Sequence, residues 1–188
     1  MFTIELDLAR GHIMLSLNKD AVTQVAFFPD DGIIPNSRRP VVLYRGIVSY
    51  SDRRKIEEEL KHLVAENRWY VAWPWRIYTF THWHSTTHEG LICIDGRATI
   101  RLGGPRVGCE FEIASGDVLF LPAGVAHRKI ASTKDFTVCG IYPKGKEYDL
   151  IKGARTLNAE ARGRSRTIAF LFNDPLLGKE GSLSKLWK

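Results

Sequence analysis

The sequence predicts a single all-β domain, a sandwich or barrel, with one helix packed on its outside. The chain has 188 residues, a length typical of one domain with a substantial core. From Trp69 onward, short apolar segments alternate with turn residues such as Gly103-Gly104-Pro105, a spacing typical of β-sandwiches and barrels. One stretch, residues 52–66, instead has the period of a helix.

The predicted strands are short, and turn residues separate them. In chain order they lie at residues 2–8, 22–28, 41–44, 76–83, 89–95, 97–102, 109–113, 117–121, 135–142 and 166–172. Pro35 to Pro40 forms a Pro- and Arg-rich connection before the third strand.

The helix predicted over residues 52–66 has Ser51 as its N-cap. Charged residues occupy one face, and the apolar residues recur at helical spacing on the other, at Ile56, Leu60, Leu63 and Val64. We therefore expect the helix to pack against the outside of the β-domain.

The chain is predicted to form one domain over residues 1–188. Residues 1–40 are an N-terminal extension, and about 41–172 contain the helix and the barrel. Residues 173–188 are rich in Leu and include Trp187, so we expect this tail to dock on the domain.

The formal charge of +6 is concentrated near the C-terminus. Residues 144–188 hold ten Lys and Arg against five Asp and Glu, most densely in Arg162-Gly-Arg164-Ser-Arg166. Such a run can bind phosphates, but no known nucleic-acid-binding motif accompanies it. We expect no nucleic-acid partner, and interpret the charge as solubility or attraction of an anionic small molecule.

The remaining composition points to the cytoplasm. No apolar run reaches the roughly eighteen residues that cross a bilayer, and the N-terminus lacks the features of a signal peptide. Cys93, Cys109 and Cys139 are widely spaced without a CxxC pair, which suits reduced thiols. We therefore predict a cytoplasmic protein with no membrane partner.

The richest stretch for chemistry is His82-Trp83-His84-Ser85-Thr86-Thr87-His88-Glu89. On a strand, His82 and His84 point to the same face, and Glu89 opens the next apolar strand. Two imidazoles and a carboxylate are suitable ligands for one divalent metal ion, with His127 as a fourth candidate. Fe, Mn, Ni, Co and Zn all suit this set, and the sequence does not choose among them.

These segments resemble the two motifs of the cupin superfamily. The first, HxH, four residues, Glu, six residues and Gly, is matched from His82 to Gly96. The second, Gly, five residues, Pro-x-Gly, two residues and His, is matched from Gly116 to His127. Arg76 and Ala131 replace the Gly and Asn of the fullest motifs, and neither change removes a ligand. The resemblance implies a double-stranded β-helix, the jelly-roll barrel, with a metal at its centre.

Further segments are similar to the small YjlB-like cupins over about residues 22–188. They are Asp30 to Asn36, His84 to Glu89, Leu121 to Arg128 and Asn173 to Gly181. This resemblance implies a fold more clearly than a reaction.

Other candidate site residues follow from strand alternation. Tyr78 and Phe80 would share the face of His82, and either floor a substrate pocket or fill the barrel core. Tyr142 is a candidate substrate contact on the strand where the small Gly140 suggests a close approach. Arg128 either clamps a substrate carboxylate or points outward. The connections 35–40 and 143–165 are candidates for covering the pocket.

His88 is the most ambiguous candidate. Regular pleating before Glu89 would turn it away from the metal, but the preceding turn weakens that inference. It is a catalytic acid–base candidate, a structural hydrogen-bonding group at the pocket rim or an alternative ligand.

Three function classes remain open at this point. We favour a metal-dependent, oxygen-using oxidoreductase of the dioxygenase type, acting on a small organic molecule, anionic or neutral. The alternatives are an isomerase, lyase or decarboxylase that uses the metal as a Lewis acid, and a non-catalytic binding cupin. The expected partner is a small molecule, and a homodimer is left open.

Overall fold

The structure is a computed structural model that describes residues 15–153, 158–170 and 173–188. The strand predicted at residues 2–8 lies outside the described residues. The strands are β1 Leu15–Leu17, β2 Thr23–Phe28, β3 Ser37–Tyr44, β4 Val48–Tyr50, β5 Trp69–Trp75, β6 His82–Trp83, β7 Glu89–Asp95, β8 Arg97–Leu102, β9 Cys109–Ala114, β10 Val118–Leu121, β11 His127–Ser132, β12 Thr137–Pro143 and β13 Ile151–Lys152. The helices are α1 Ile56–Glu66, α2 Gly104–Val107, α3 Ala159–Thr167 and α4 Ser182–Leu186.

Two antiparallel sheets form the body of the molecule. One has six strands in the order β2-β3-β10-β7-β12-β5, and the other has five in the order β13-β6-β11-β8-β9. Their facing side chains form one apolar cluster, in which Leu91 and Leu119 of the first sheet meet Ile100 and Leu102 of the second. The predicted all-β barrel is therefore confirmed.

The outer face of the six-stranded sheet is also buried. Ile92, Phe120 and Ile141 pack there against apolar residues of α1 and against the C-terminal segment that contains Trp187. Because β7 is covered on both faces, it is apolar along nearly its whole length. The predicted position of α1 outside the barrel is confirmed.

The start of α1 differs from the prediction. The helix begins at Ile56 with Lys55 as its N-cap, so Ser51 does not have that role. The Asp52 carboxylate accepts a hydrogen bond from the backbone N–H of Arg54 at 2.9 Å. This local turn competes with helical hydrogen bonding and delays the helix.

The strand predicted at residues 76–83 is wrong for most of its length. β5 ends at Trp75 in the six-stranded sheet, and β6 begins at His82 in the five-stranded sheet. Residues 76–81 cross from one sheet to the other and form isolated backbone hydrogen bonds instead of a ladder, such as the one from the Lys129 N–H to the Tyr78 carbonyl at 2.8 Å. The six-stranded sheet also begins at Thr23, well before residue 40, where the sequence placed the start of the barrel.

The strand predicted at residues 166–172 is also wrong where the structure describes it. Helix α3 extends to Thr167, and residues 168–170 are irregular. The Asn158 side chain caps this helix by accepting a hydrogen bond from the Ala161 N–H at 2.9 Å. Ala161 then packs in an apolar cluster with Trp83, on the outside of the five-stranded sheet.

The basic run of the sequence lies on α3 and has acidic partners within the chain. Arg162 and Arg166 both contact the Asp30 carboxylate, and Arg164 contacts Glu160. Much of this charge is therefore balanced within the molecule. None of the helices in the described ranges combines the length and apolarity that a membrane crossing needs.

Candidate metal centre

Strand pairing brings the candidate ligands together. His82 in β6 is the direct partner of His127 in β11, and Glu89 begins β7 in the opposite sheet. His82 and His84 flank Trp83, whose side chain packs on the outside, so the two imidazoles face inward. The Gly124 N–H donates to the His84 carbonyl at 2.8 Å, which ties the turn before His127 to the histidine pair.

The turn before His127 depends on Gly124. Its φ is +92°, a left-handed conformation that costs side-chain-bearing residues energy. A Cβ there would lie 2.6 Å from the Asn36 carbonyl oxygen. Glycine is thus required at this position of the motif by both conformation and space.

The donor atoms have the spacing of a mononuclear metal site. One ligand atom from each of His82, His84 and His127 lies within 4.8 Å of the others. Glu89 Oε2 lies 3.1 Å from His127 Nε2 and 3.3 Å from His84 Nε2. Atoms bound about 2.1 Å from a shared ion lie roughly 3–4 Å apart. The two Glu89 distances fall within this range, and the histidine atoms need only a small adjustment to reach it.

Two of these atoms also lack other partners. His84 Nε2 and Glu89 Oε2 are buried without a hydrogen-bond partner among the described residues. A buried polar group without a partner is costly unless something else satisfies it. A bound cation would satisfy both atoms, so the residues present fit a divalent metal.

The other ring nitrogens set the tautomer of each histidine. Nδ1 of His82 lies 3.1 Å from the Phe80 carbonyl, and Nδ1 of His127 lies 3.5 Å from the Val125 carbonyl. Nδ1 of His84 contacts the Asp149 carbonyl. A carbonyl only accepts, so each Nδ1 carries the proton and each Nε2 keeps a free lone pair for a metal.

Electrostatics favour the protonation states in which His82 and Glu89 can bind a metal, the neutral imidazole and the ionised carboxylate. Burial, aided by the neighbouring His127, lowers the pKa of His82 to about 3, which keeps this imidazole neutral. Burial acts to raise the pKa of Glu89, but His84 and His127 hold that pKa well below its usual range. The pKa of His84 is raised, because the attraction of Glu89 outweighs burial.

Tyr142 contacts the carboxylate rather than open space. Its hydroxyl donates to Glu89 Oε1 at 2.5 Å, which leaves Oε2 facing the imidazoles. Burial, together with Glu89, raises the pKa of Tyr142, so the hydroxyl stays protonated as a donor. The side chain also lines the cavity beside the metal centre.

On the same strand, a Cβ on Gly140 would lie 2.4 Å from the Trp73 ring, so the close approach predicted there is confirmed.

Asp149 is a site residue that the sequence did not reveal. Its carboxylate accepts hydrogen bonds from the Ser85 N–H at 2.6 Å and from the Ser85 hydroxyl, while its carbonyl contacts His84. The segment that carries it also brings Tyr148 and Leu150 to the cavity. The connection 143–165 therefore covers part of the cavity, as its length suggested.

The cavity beside the candidate ligands has a volume of about 280 Å³. The four candidate ligands lie on its wall. Most of the remaining wall is apolar and aromatic, and includes Trp73, Trp75, Leu91, Tyr142, Tyr148 and Leu150. Such a cavity, with polar groups converging at one place, is the usual form of a small-molecule site.

Tyr78 and Phe80 lie at the cavity mouth instead of in the core or on the floor. Both rings contact His82, with centroid distances of 5.2 and 5.5 Å, yet both side chains are exposed. Tyr78 lines the cavity, and Phe80 stacks behind it. Both rings therefore lie on the side of His82, as predicted, but they lie at the opening because residues 76–81 are not a strand.

His88 and Arg128 lie away from the cavity. His88 is buried, accepts a hydrogen bond from the Ala123 N–H at 2.9 Å and packs against Trp187. Burial and the nearby Arg39 lower its pKa to about 3, and its contacts are those of the structural hydrogen-bonding group among the three predicted roles. Arg128 follows the inward-facing His127 on β11, is not among the residues that line the cavity, and cannot clamp a substrate there.

Comparison with known proteins agrees with this geometry. The family model "Cupin domain" matches residues 77–139, which contain all four candidate ligands. Two solved structures show weak likeness to this chain. An oxalate decarboxylase variant from Bacillus subtilis has a TM-score of 0.36 and 16% sequence identity, and the match covers 63% of this chain and 29% of that one. Procruciferin, an 11S globulin from Brassica napus, has a TM-score of 0.35 and 11% identity, and the match covers 70% of this chain and 27% of that one. This chain thus spans less than a third of either protein, and these scores support no argument about chemistry.

A curated relative is far more similar. The uncharacterized protein YjlB of Bacillus subtilis (strain 168) is 37% identical over 166 residues, which cover 88% of this chain and 96% of the relative. Together with the matched domain and the barrel, this similarity places the chain in the YjlB-like family of cupins.

Proposed function

We propose that this protein is a metal-dependent enzyme, an oxygen-using oxidoreductase of the dioxygenase type, that acts on a small organic molecule. One observation supports this proposal above the others. Donor atoms of three histidines lie within 4.8 Å of one another beside an apolar cavity, and the Glu89 carboxylate contacts two of these histidines. His84 Nε2 and Glu89 Oε2 are buried and have no hydrogen-bond partner among the described residues.

The residues that would hold the metal are His82, His84, Glu89 and His127. A redox-active divalent ion bound there supplies the one-electron chemistry that molecular oxygen requires. The chain itself orients three Nε2 lone pairs through backbone carbonyls and holds the carboxylate through Tyr142. The apolar cavity wall excludes water and suits molecular oxygen, which is apolar.

A dioxygenase needs no other co-reactant. Both oxygen atoms enter the organic product, and the organic substrate supplies the electrons, so the balance closes without an external reductant. Metal-dependent isomerisation, elimination or decarboxylation would use the same ligands without oxygen. These reactions, and binding without turnover, are the competing outcomes of the experiments below.

The first experiment measures metal content by elemental analysis. We compare wild type with His127→Ala, and use His62→Ala as the matched control because His62 lies exposed on α1. We expect near-stoichiometric metal in wild type and His62→Ala, and a loss in His127→Ala. Equal metal in all three proteins, or none in wild type after reloading, would contradict the proposed site.

The second experiment follows oxygen with an electrode while candidate substrates are added to the metal-loaded protein. Oxygen uptake that matches product formation supports the dioxygenase. Turnover that continues unchanged without oxygen contradicts it and favours Lewis-acid chemistry. Saturable binding without any turnover favours a binding cupin. A cytoplasmic location with a small-molecule partner remains part of this proposal.

A further inference from the structure

Large aromatic side chains are exposed together at the cavity mouth. Trp75 is 70% exposed, Tyr78 is 50% exposed and Tyr148 is 44% exposed, and all three line the same cavity. Exposed apolar side chains scattered singly need no explanation, but a group of aromatics around one opening marks a binding surface. The planar faces of these rings suit a planar ligand.

A second ring supports two of these side chains. Tyr78 stacks on Phe80 with centroids 4.7 Å apart and an angle of 22° between the rings. Tyr148 stacks on Tyr142 at 4.5 Å and 17°. Because stacking already orders the Tyr78 and Tyr148 rings, a ligand that packs against either of them loses little free energy to immobilising it.

Two cationic side chains lie at the mouth. Arg76 lies between Trp75 and Tyr78 in the sequence, and is the one Arg or Lys among the described residues that line the cavity. Its Nη2 donates to the Lys134 carbonyl at 2.7 Å, which anchors one part of a fork with five N–H donors. Lys152 adds a second charge beside the mouth, with its Nζ 5.1 Å from the Phe80 centroid.

Size limits the ligand further. A cavity of about 280 Å³ lies just below the usual range for ligand pockets, roughly 300–1,000 Å³. This volume suits a single ring with one or two substituents and is too small for a nucleotide or a sugar chain.

We propose that this cavity takes a planar, single-ring aromatic carboxylate. Its ring stacks against the side chains of Trp75, Tyr78 and Tyr148, and its carboxylate is bound by Arg76. The inference rests on the proposed function, because it names the substrate class of the same site. The cationic side chains, the exposed aromatic rings and the small volume each exclude a different set of competing ligands.

The test uses three probes of similar size with the full chain, metal-free and metal-loaded. Benzoate has the ring and the charge, cyclohexanecarboxylate has the charge without planarity, and benzyl alcohol has the ring without the charge. Titration calorimetry and quenching of tryptophan fluorescence give each dissociation constant without requiring turnover. We expect benzoate to bind about tenfold more tightly than either of the other probes.

Variants assign the contacts. Trp75→Ala should raise the dissociation constant of benzoate about tenfold. Arg76→Gln should remove the preference for benzoate over benzyl alcohol. The controls are Phe27→Ala, an exposed aromatic residue outside the cavity, and Arg54→Gln, which pairs with Asp52. Both controls should bind benzoate like wild type.

The outcomes separate this inference from the proposed function. Stoichiometric metal without a benzoate preference overturns the inference and leaves the metal-dependent function standing. Benzoate binding by a protein that takes up no metal even after loading supports the inference and contradicts the metal-dependent function. A fluorescence signal that follows protein concentration instead of benzoate would show that a second copy covers the mouth, and would overturn the inference.

Discussion

Removing one hydroxyl group tests whether Glu89 is a metal ligand. In Tyr142→Phe the ring stays, but the hydrogen bond of 2.5 Å to Glu89 Oε1 is lost. A hydrogen bond to a charged group contributes about 1.5–3 kcal/mol, and each 1.4 kcal/mol corresponds to a factor of ten. We therefore expect the metal dissociation constant to rise about 10–100-fold, as is typical for groups that orient metal ligands.

The assay is competition for the metal with a chromophoric chelator of known affinity. Tyr70→Phe is the matched control, because its hydroxyl donates to the Lys146 carbonyl and its ring lies 6.1 Å from that of Tyr142. This control should bind the metal within about twofold of wild type, since its hydroxyl does not contact Glu89. If Tyr142→Phe matches Tyr70→Phe, the hydrogen bond does not hold a ligand and the reasoning fails.

Three other changes probe how the site is supported. Asp149→Ala should lower the free energy of unfolding by about 1–2 kcal/mol and weaken metal binding, because the Asp149 carboxylate holds the loop that follows His84. Urea unfolding and competition with a chelator measure these two effects. Trp187→Ala should lower the free energy of unfolding by about 3–5 kcal/mol, because the Trp187 ring is fully buried. Trp75→Ala should change it by less than about 0.5 kcal/mol, because Trp75 is exposed. Similar unfolding midpoints for the two variants would refute the docking of the C-terminal tail. The pKa of Asp30 is lowered, because Arg162 and other donors outweigh the burial that raises it. The ionised Asp30 carboxylate should therefore stabilise the fold by less than about 1 kcal/mol above about pH 4, and this effect should vanish as the pH falls further. A difference in the free energy of unfolding between wild type and Asp30→Asn that stays the same from pH 6 to pH 3 would contradict this.

The candidate metal ligands could be predicted from the sequence because their positions depend on local rules. His82 and His84 share a face through strand alternation, and the fixed spacing to Glu89 spans one turn. His127 follows a turn that only glycine allows at position 124. Such rules act over a few residues, so they can be recognised without knowing the rest of the fold.

Asp149 could not be predicted in the same way. It lies in a connection with no regular period, and it reaches Ser85 across 64 positions of sequence. His88 was ambiguous for a related reason, because its partner Trp187 lies on the C-terminal segment. Contacts of this kind depend on how separate parts of the chain pack, and neither residue type nor spacing encodes them locally.

Strand β11 was missed, and only His127 of its six residues is buried. Three polar residues come first and its two apolar residues, Ile130 and Ala131, are adjacent and exposed, so the alternation on which sequence prediction depends is absent. The pairing of His127 with His82 nevertheless makes this strand essential to the candidate site.

The wrong prediction at residues 76–83 has the same origin as the shape of the cavity mouth. Had the strand continued, Tyr78 and Phe80 would have pointed into the barrel beside His82 and filled it. Because the chain instead crosses between the two sheets, these rings lie at the opening, and Arg76 comes with them. The ligand set follows from strand pairing, which the motifs encode, whereas the mouth follows from a crossing that depends on this chain's own packing. Metal binding can therefore be argued from sequence, but the class of substrate can be argued only from the structure.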